Sequence, residues 1–341
     1  MSAISSMITR DWIIGLPKAE NHVHLEGCLD PAIVSRAAER AGVDVPTDPI
    51  RNLDELLHLL DVTCRLMTEA DDLTELAAAK ALAGDAVGAS YTDLIVNPAH
   101  WPAWAGRIPE MIEALDAGFA RAEAAGSNPT GLSLSIGRHQ SAEEAEVVAD
   151  ALIGATTHRI VGVSVDGNES APGAGCERFA PAIDRIRMAG LRVHVHTGES
   201  GGPDRMRLSI DHLEPDRIDH GIRSIDEPVL VAELAETGTP LAMCPTSNLT
   251  LGVVASLADH PIVPLRAAGV TVTVNTDDPL LLDTDLANEY VRCVEAFGWD
   301  TDDLRSLAAA SVRASTAPDE RQAELIAEIR AYPDPTEEDA T

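Results

Sequence analysis

Four short stretches carry side chains whose types and spacing can do chemistry. His22 and His24 lie two apart in Asn21-His22-Val23-His24-Leu25-Glu26. In an extended strand alternate residues leave one face, so both imidazoles can reach a single metal ion. Taken alone, an H-x-H is more often a structural or accidental pair than a pair of ligands. Further on, Val193-His194-Val195-His196-Thr197-Gly198-Glu199 ends an apolar run in a histidine with a carboxylate three residues later, which offers a third ligand and a nearby acid. His194, one layer deeper, reads as a core residue. Asp219-His220 is a titratable pair at the end of another run, and Asp277-Asp278 places two carboxylates side by side directly after Val272-Thr273-Val274-Asn275-Thr276. As a surface turn Asp-Asp-Pro would be ordinary. Buried, adjacent like charges are costly without a cation.

These stretches need elements that bring them together. Short β-branched runs alternate with longer Ala/Leu/Glu/Arg stretches of helical period, the pattern of repeated β-α units. Eight runs can be counted, at residues 21–25, 92–97, 131–136, 160–165, 191–196, 217–219, 240–244 and 270–275. A doubly wound sheet would need fewer strands and would show a glycine-rich phosphate loop after the first, which is absent. The expected fold is a single (β/α)8 barrel over residues 1–341 with extra helices inserted between strands 1 and 2, starting at the Asp30-Pro31 N-cap and N1 pair. That insertion is a candidate lid. All four chemical stretches then fall at the carboxyl ends of different strands, where barrels concentrate catalytic groups. Three neutral imidazoles with one carboxylate leave a zinc ion an open position, the mark of a catalytic site.

Composition narrows the partners. The chain of 341 residues has 25 basic and 56 acidic side chains, a net charge of -31, which repels phosphate backbones and anionic membranes. Neither nucleic acid nor a membrane is expected. Hydrophobic residues make up 45% and aromatics 3%, so the core is built from Ala, Val, Leu and Ile, which suits a barrel interior. Five cysteines, Cys28, Cys64, Cys176, Cys244 and Cys293, are widely spaced with no C-x-x-C. That suggests neither disulfides nor a thiolate zinc site, and fits a reducing cytoplasm. No signal-peptide pattern or run of membrane-spanning length is expected to direct the chain elsewhere. Residues 333–341 are acidic and expected to fray. Nothing in the residues fixes an oligomeric state.

From Leu16 to about Tyr290 the sequence resembles the adenosine deaminase family of the metal-dependent amidohydrolases. The resemblance lies in Leu16-Pro17-Lys18-Ala19-Glu20 with His22-Val23-His24-Leu25-Glu26-Gly27, Arg138-His139, Gly167-Asn168-Glu169, His196-Thr197-Gly198-Glu199, Cys244-Pro245-Thr246-Ser247-Asn248 and Asn275-Thr276-Asp277-Asp278-Pro279, in the family's order. By that resemblance one zinc ion is held by His22, His24, His196 and Asp277. Glu199 passes a proton to purine N1 and His220 orients the zinc-bound hydroxide. Asp278 faces N7, and the N–H of Gly167 meets N3, where a side chain would block the approach. The implied reaction is attack of hydroxide on C6 of a small-molecule aminopurine and loss of ammonia. For Glu199 this requires a carboxyl that burial keeps protonated.

Some positions depart from the family pattern. Glu26 stands where the adenosine-specific branch has an aspartate that meets the ribose 5′-hydroxyl, and glutamate is familiar in adenine and aminodeoxyfutalosine deaminases. Asp219 also resembles adenine deaminases, whereas Asn275-Thr276-Asp277 and Cys244-Pro245-Thr246 are closer to the nucleoside branch. Ile95 replaces an arginine and Ser164 an aspartate, which a lost ion pair would explain together. Asp166 adds a carboxylate beside Gly167. Leu56 and Leu60 occupy positions of pocket-covering phenylalanines, and read either as core residues or as the wall of a roomier pocket. The expected substrate is adenosine or a related nucleoside, with adenine or aminodeoxyfutalosine as alternatives. A non-purine amidohydrolase and a catalytically silent nucleoside-binding barrel are the competing readings.

Overall fold

The computed structural model describes residues 8–45, 50 and 52–336. Residues 337–341, the end of the tail expected to fray, lie outside the described residues. Eight parallel strands follow one another around a (β/α)8 barrel in sequence order: β1 (Lys18–His24), β2 (Ala89–Val96), β3 (Thr130–Gly137), β4 (Ile160–Asp166), β5 (Arg192–Thr197), β6 (Arg217–His220), β7 (Leu241–Met243) and β8 (Val272–Val274). Each overlaps one expected run. Between β3 and β4 the ladder pairs Leu134 with Val163 and Ile136 with Val165, all fully buried, as expected of strands covered on both faces.

The sheet closes differently at the last seam. β8 and β1 are joined by a bridge between Val23 and Asp277, in which His24 N–H donates to Asp277 O at 2.8 Å and Asp277 N–H to His22 O at 3.1 Å. Below it, Asn21 N–H donates to the side-chain Oδ1 of Asn275 at 2.7 Å. Asp277 makes the bridge with φ +67, a conformation that aspartate tolerates better than most residues. Opposite, the β1–β2 register slips between Glu20 and Val23, a bulge of the kind that re-aims side chains beside active sites.

Before β1 runs α1 (Arg10–Gly15), and between β1 and β2 stand α2 (Pro31–Ala41), α3 (Leu53–Cys64) and α4 (Ala70–Ala86). Asp30 caps α2, its side chain accepting from Ala32 N–H and Ile33 N–H, with Pro31 in the first turn. α4 packs on β2 and on the helix Ile108–Ala124, as the regular barrel helix should. α3 lies over the carboxyl mouth of the barrel, where Leu53, Leu56, Leu57 and Leu60 line a cavity of about 370 Å³. Among the described residues no helix is long and apolar enough to cross a membrane.

Candidate active site

The side chains singled out in the sequence converge at the floor of that cavity. His22, His24, His196, His220 and Asp277 are all buried. His22 Nε2 lies 3.0 Å from Asp277 Oδ1, His24 Nε2 lies 3.6 Å from the same oxygen, and His24 Nε2 and His196 Nε2 are 3.0 Å apart. One ligand atom from each of His22, His196, His220 and Asp277 falls within 4.8 Å of the others. Burial, with the neighbouring His22 adding to it, holds His196 well below the usual imidazole range. Burial likewise brings His24 down to about 4, against the pull of Asp277. His24 and His196 are therefore neutral, as metal ligands must be. Both ring nitrogens of His22 are buried without a hydrogen-bond partner, which a metal ion would explain for one of them. The nitrogens of His22, His24 and His196 with the Asp277 oxygen fit a zinc-like ion with a position to spare, and His220 stands beside them.

A buried polar stack holds these ligands from below. Arg217, 1% exposed, crosses the barrel interior from β6. Its Nη1 donates to Asp93 Oδ2 on β2 at 2.9 Å, its Nη2 lies 3.0 Å from His194 Nδ1 on β5, and its Nε donates to Asp219 Oδ1 at 2.9 Å. Asp219 in turn faces His22 Nδ1 at 3.5 Å and His196 Nδ1 at 3.6 Å, with Ser164 Oγ 3.3 Å from the same His196 nitrogen. Burial alone would push the Asp219 carboxyl up, but Arg217 and the histidines around it hold it well below the carboxylate range. It remains an anion that orients two imidazoles, as the outer partners of metal-bound histidines do. His194 thus lies in the layer beneath the cluster, as read from the sequence.

Glu199 stands beside the cluster, its Oε1 3.7 Å from His220 Nε2. Burial, then the negative charges of Asp277 and Glu169, raise its carboxyl to about 8. The loop that carries it is shaped by Glu169, whose Oε1 accepts from Thr197 Oγ1 and Gly198 N–H and whose Oε2 accepts from Glu199 N–H and Gly201 N–H, at 2.7 to 3.1 Å. Asp278 is buried with Oδ1 unpartnered. Burial, then Asp277, Glu26, Glu199 and Asp166, push it well above the carboxylate range. Its place requires Gly27, where a Cβ would lie 2.4 Å from Asp278 Cα.

The cavity wall is formed by the remaining residues. Glu26 Oε1 accepts from Asn97 N–H and Trp101 Nε1–H, both at 2.7 Å, while Oε2 is buried without a partner. Burial raises its carboxyl too. Asp166 Oδ1 accepts from Asn97 Nδ2 at 2.8 Å. Gly167 lines the cavity with φ +93. A Cβ there would meet only Arg138, at ordinary contact distance, so the backbone conformation and no protein neighbour is what demands glycine. Ile95 is fully buried in β2. Leu56 and Leu60 are buried core residues of α3 that also line the cavity.

The sequence reading gave no role to Glu169, Trp101 or the pair of His100 on Asp61, whose Nδ1 and Oδ1 are 2.7 Å apart. Nor did it single out His260, which is buried near His220 behind Asn248. Trp101 and His260 sit in loops with no periodic pattern. The signal for Glu169 is its place two residues after Gly167, where a charge close to a tight turn has to find donors.

Comparison with known proteins agrees with this geometry. The sequence matches the model of the adenosine deaminase family over residues 17–332. An adenine deaminase of Sphingopyxis alaskensis is 34% identical over 94% of this chain and 96% of its own, and one of Chelativorans sp. is 33% identical over 92% and 98%. The crystal structure of an adenine deaminase from Arthrobacter aurescens superposes with a TM-score of 0.85 at 29% identity, covering 93% of this chain and 98% of that one. The Arabidopsis N6-mAMP deaminase shares the fold, with a TM-score of 0.84 at 23% identity over 94% of this chain and 99% of its own. A barrel whose strand ends gather these histidines and acids, matched along nearly its whole length, belongs to the adenosine deaminase family.

Proposed function

We propose that this enzyme hydrolyses the 6-amino group of a purine, releasing ammonia, with one zinc ion held by His22, His24, His196 and Asp277, and that free adenine is its preferred substrate. The observation that carries the reading is the meeting, in one cavity, of the His/Asp cluster with an acid held protonated at neutral pH, Glu199. When bound, zinc supplies a Lewis acid and lowers the pKa of a coordinated water to about 7.

The other steps belong to the chain. Glu199, protonated below about 8, hands its proton to the ring nitrogen N1 as C6 is attacked. His220, whose Nε2 lies 3.7 Å from Glu199 Oε1, orients the attacking oxygen. Asp278, raised well above the carboxylate range, keeps its proton and donates it in a hydrogen bond to N7, while Gly167 N–H does the same for N3. The leucines of α3 cover the bound purine and keep bulk water from the reacting atoms.

Two observations support adenine over its nucleoside. Relatives that match nearly the whole chain are adenine deaminases. Glu26 Oε2, unpartnered in the cavity wall, suits a ligand that brings an N–H, which the imidazole ring of free adenine has and an N9-nucleoside lacks. The room left by Leu56 and Leu60 favours a nucleoside instead. A phosphorylated substrate meets five carboxyl groups in the lining, Glu26, Asp166, Glu199, Asp277 and Asp278. The one lining arginine, Arg138, is already bound to Ala174 O and His196 O. The test compares kcat/KM for adenine, adenosine, 2′-deoxyadenosine and AMP on protein of known zinc content. Adenine should lead, preference for adenosine would overturn the substrate, and failure of every aminopurine to release ammonia would overturn the reaction.

A further inference from the structure

Behind His220 a chain of hydrogen bonds leads away from the cavity and ends on a main-chain amide. His220 Nε2 faces the cavity beside Glu199, and its Nδ1 lies 3.5 Å from Asn248 Nδ2. Asn248 is on the short helix Pro245–Thr250 that follows β7 and is fully buried. Its own carbonyl accepts from both Val253 N–H and Val254 N–H, at 2.9 and 3.1 Å, which fixes its backbone. Asn248 Oδ1 is 3.1 Å from His260 Nε2, and His260 Nδ1 is 3.2 Å from Ile262 N.

The direction of every proton in this chain follows from its far end. A main-chain N–H can only donate, so His260 Nδ1 is bare and accepts from Ile262. Burial, and then His220, bring His260 down to about 4, so it is neutral at pH 7 and carries its one proton on Nε2. That N–H donates to Asn248 Oδ1, which turns the amide NH₂ of Asn248 towards His220. An NH₂ group can only donate, so His220 Nδ1 accepts. A proton on Nδ1, whether in the other tautomer or in the imidazolium, would set two donors against each other in a buried site. His220 must then keep its proton on Nε2, the nitrogen that faces Glu199 and the cavity.

We propose that His260 and Asn248 are positioning residues that make His220 Nδ1 a hydrogen-bond acceptor, so that the ring presents an Nε2 proton to the attacking oxygen as a donor. The kinetic part rests on the deaminase reading. The tautomer does not, and can be measured without turnover. It also assigns a purpose to a buried polar chain otherwise remote from the substrate, since it fixes which nitrogen of His220 is free to donate, a detail that decides what a histidine can do.

The experiment is long-range 1H–15N NMR of the histidine rings in zinc-loaded protein labelled with 15N-histidine, with His220 assigned from the His220→Asn spectrum. The wild-type ring should show the neutral pattern with Nε2 protonated. Asn248→Asp places an acceptor where the donor stood and should move the proton to Nδ1 or yield the imidazolium. kcat should fall about 10- to 100-fold, as for other orienting partners, with KM and zinc content little changed. His260→Ala lets the Asn248 amide turn and should give a mixture of tautomers. In His260→Gln the side-chain N–H can again donate to Asn248 Oδ1, and the wild-type pattern and part of kcat should return. Wild-type His220 found protonated on Nδ1, or an Asn248→Asp spectrum unchanged from wild type, would overturn the proposal. If no aminopurine reacts but the wild-type ring is protonated on Nε2 and responds to Asn248→Asp, the substrate reading fails and the tautomer assignment stands.

Discussion

Glu199 and Asp219 are both buried acids near the His/Asp cluster, yet their surroundings push them in opposite directions. At Glu199 burial and the like charges of Asp277 and Glu169 outweigh the pull of His22, so it keeps its proton, whereas Asp219 faces Arg217 and two imidazoles and stays ionised. Glu199→Gln removes the transferable proton at constant shape. It should keep its metal while kcat falls by at least about 10²-fold, and stopped assays with zinc analysis on the same sample check both. The pH profile carries the same information. An acid that must be protonated loses activity as pH rises through its pKa, so the alkaline limb of kcat/KM should be absent in Glu199→Gln. A divalent cation on Asp277 offsets one of the charges that raise Glu199, so that limb should lie at or below about 8, not above it. Asp219→Asn leaves Glu199 untouched and weakens the hold on His22 and His196. Zinc affinity by chelator competition should drop about 10- to 100-fold. A variant that binds zinc as tightly as wild type would remove Asp219 from the orienting role.

At the scale of elements, the strands were legible because their apolar runs are short and evenly spaced, and the histidines were legible because they end those runs. β1 was read three residues short, since it starts at Lys18 and the expected run at Asn21. Its first residues include Lys18 and Glu20, charged side chains that are nevertheless buried. Lys80 reaches in from α4 to pair with Glu20 at 2.9 Å, and Thr276 Oγ1 donates to the other carboxylate oxygen. A pair that becomes neutral only in three dimensions hides a strand from any reading of polarity. The β8–β1 seam was hidden for a related reason, because a side chain there does the work of a backbone ladder. Asn275 Oδ1 takes the Asn21 N–H, and its Nδ2 donates to Thr273 Oγ1 at 2.9 Å. Asn275→Ala leaves the buried Asn21 N–H unpaired and should cost about 1 to 3 kcal/mol in urea unfolding. Asn275→Asp keeps the acceptor and loses the donor, so it should restore the bond to Asn21 while adding a buried charge beside Asp277. If alanine is tolerated within about 0.5 kcal/mol, the bridge at Asp277 alone suffices to close the barrel.

The whole molecule is acidic to a degree that its fold must tolerate, with a net charge of -31. Like charges at the surface repel across the compact state, so raising salt from about 0.1 to about 1 M, which shortens the Debye length from about 10 to about 3 Å, should raise Tm. Scanning calorimetry in sodium chloride checks this against a neutral osmolyte, which should not reproduce the charge-dependent part. The positive side of the balance has its own peculiarity. The sequence has only two lysines, Lys18 and Lys80, and both are buried, so every basic side chain on the described surface is arginine or histidine. Lys80 is held by Glu20. Lys18 donates to Ile13 O at 2.6 Å and Leu16 O at 3.0 Å, and burial brings it down to about 7 despite Glu20 and Asp285. An unfolded lysine titrates near 10.4, so between about 7 and 10.4 the unfolded chain holds the proton that the folded chain has released. Through Lys18 alone, stability therefore rises with pH across that window. The same values make the amine a reporter of opening. At pH 8.5 Lys18 is largely the free base, so it would acylate faster than an ordinary lysine if reagent reached it, and only burial prevents that. Treatment of the native protein with an amine acylating reagent at this pH should leave both lysines unmodified by mass spectrometry, and addition of denaturant should label both together. Labelling of Lys18 in the native state, with Lys80 still protected, would show that α1 and the start of β1 open separately from the barrel.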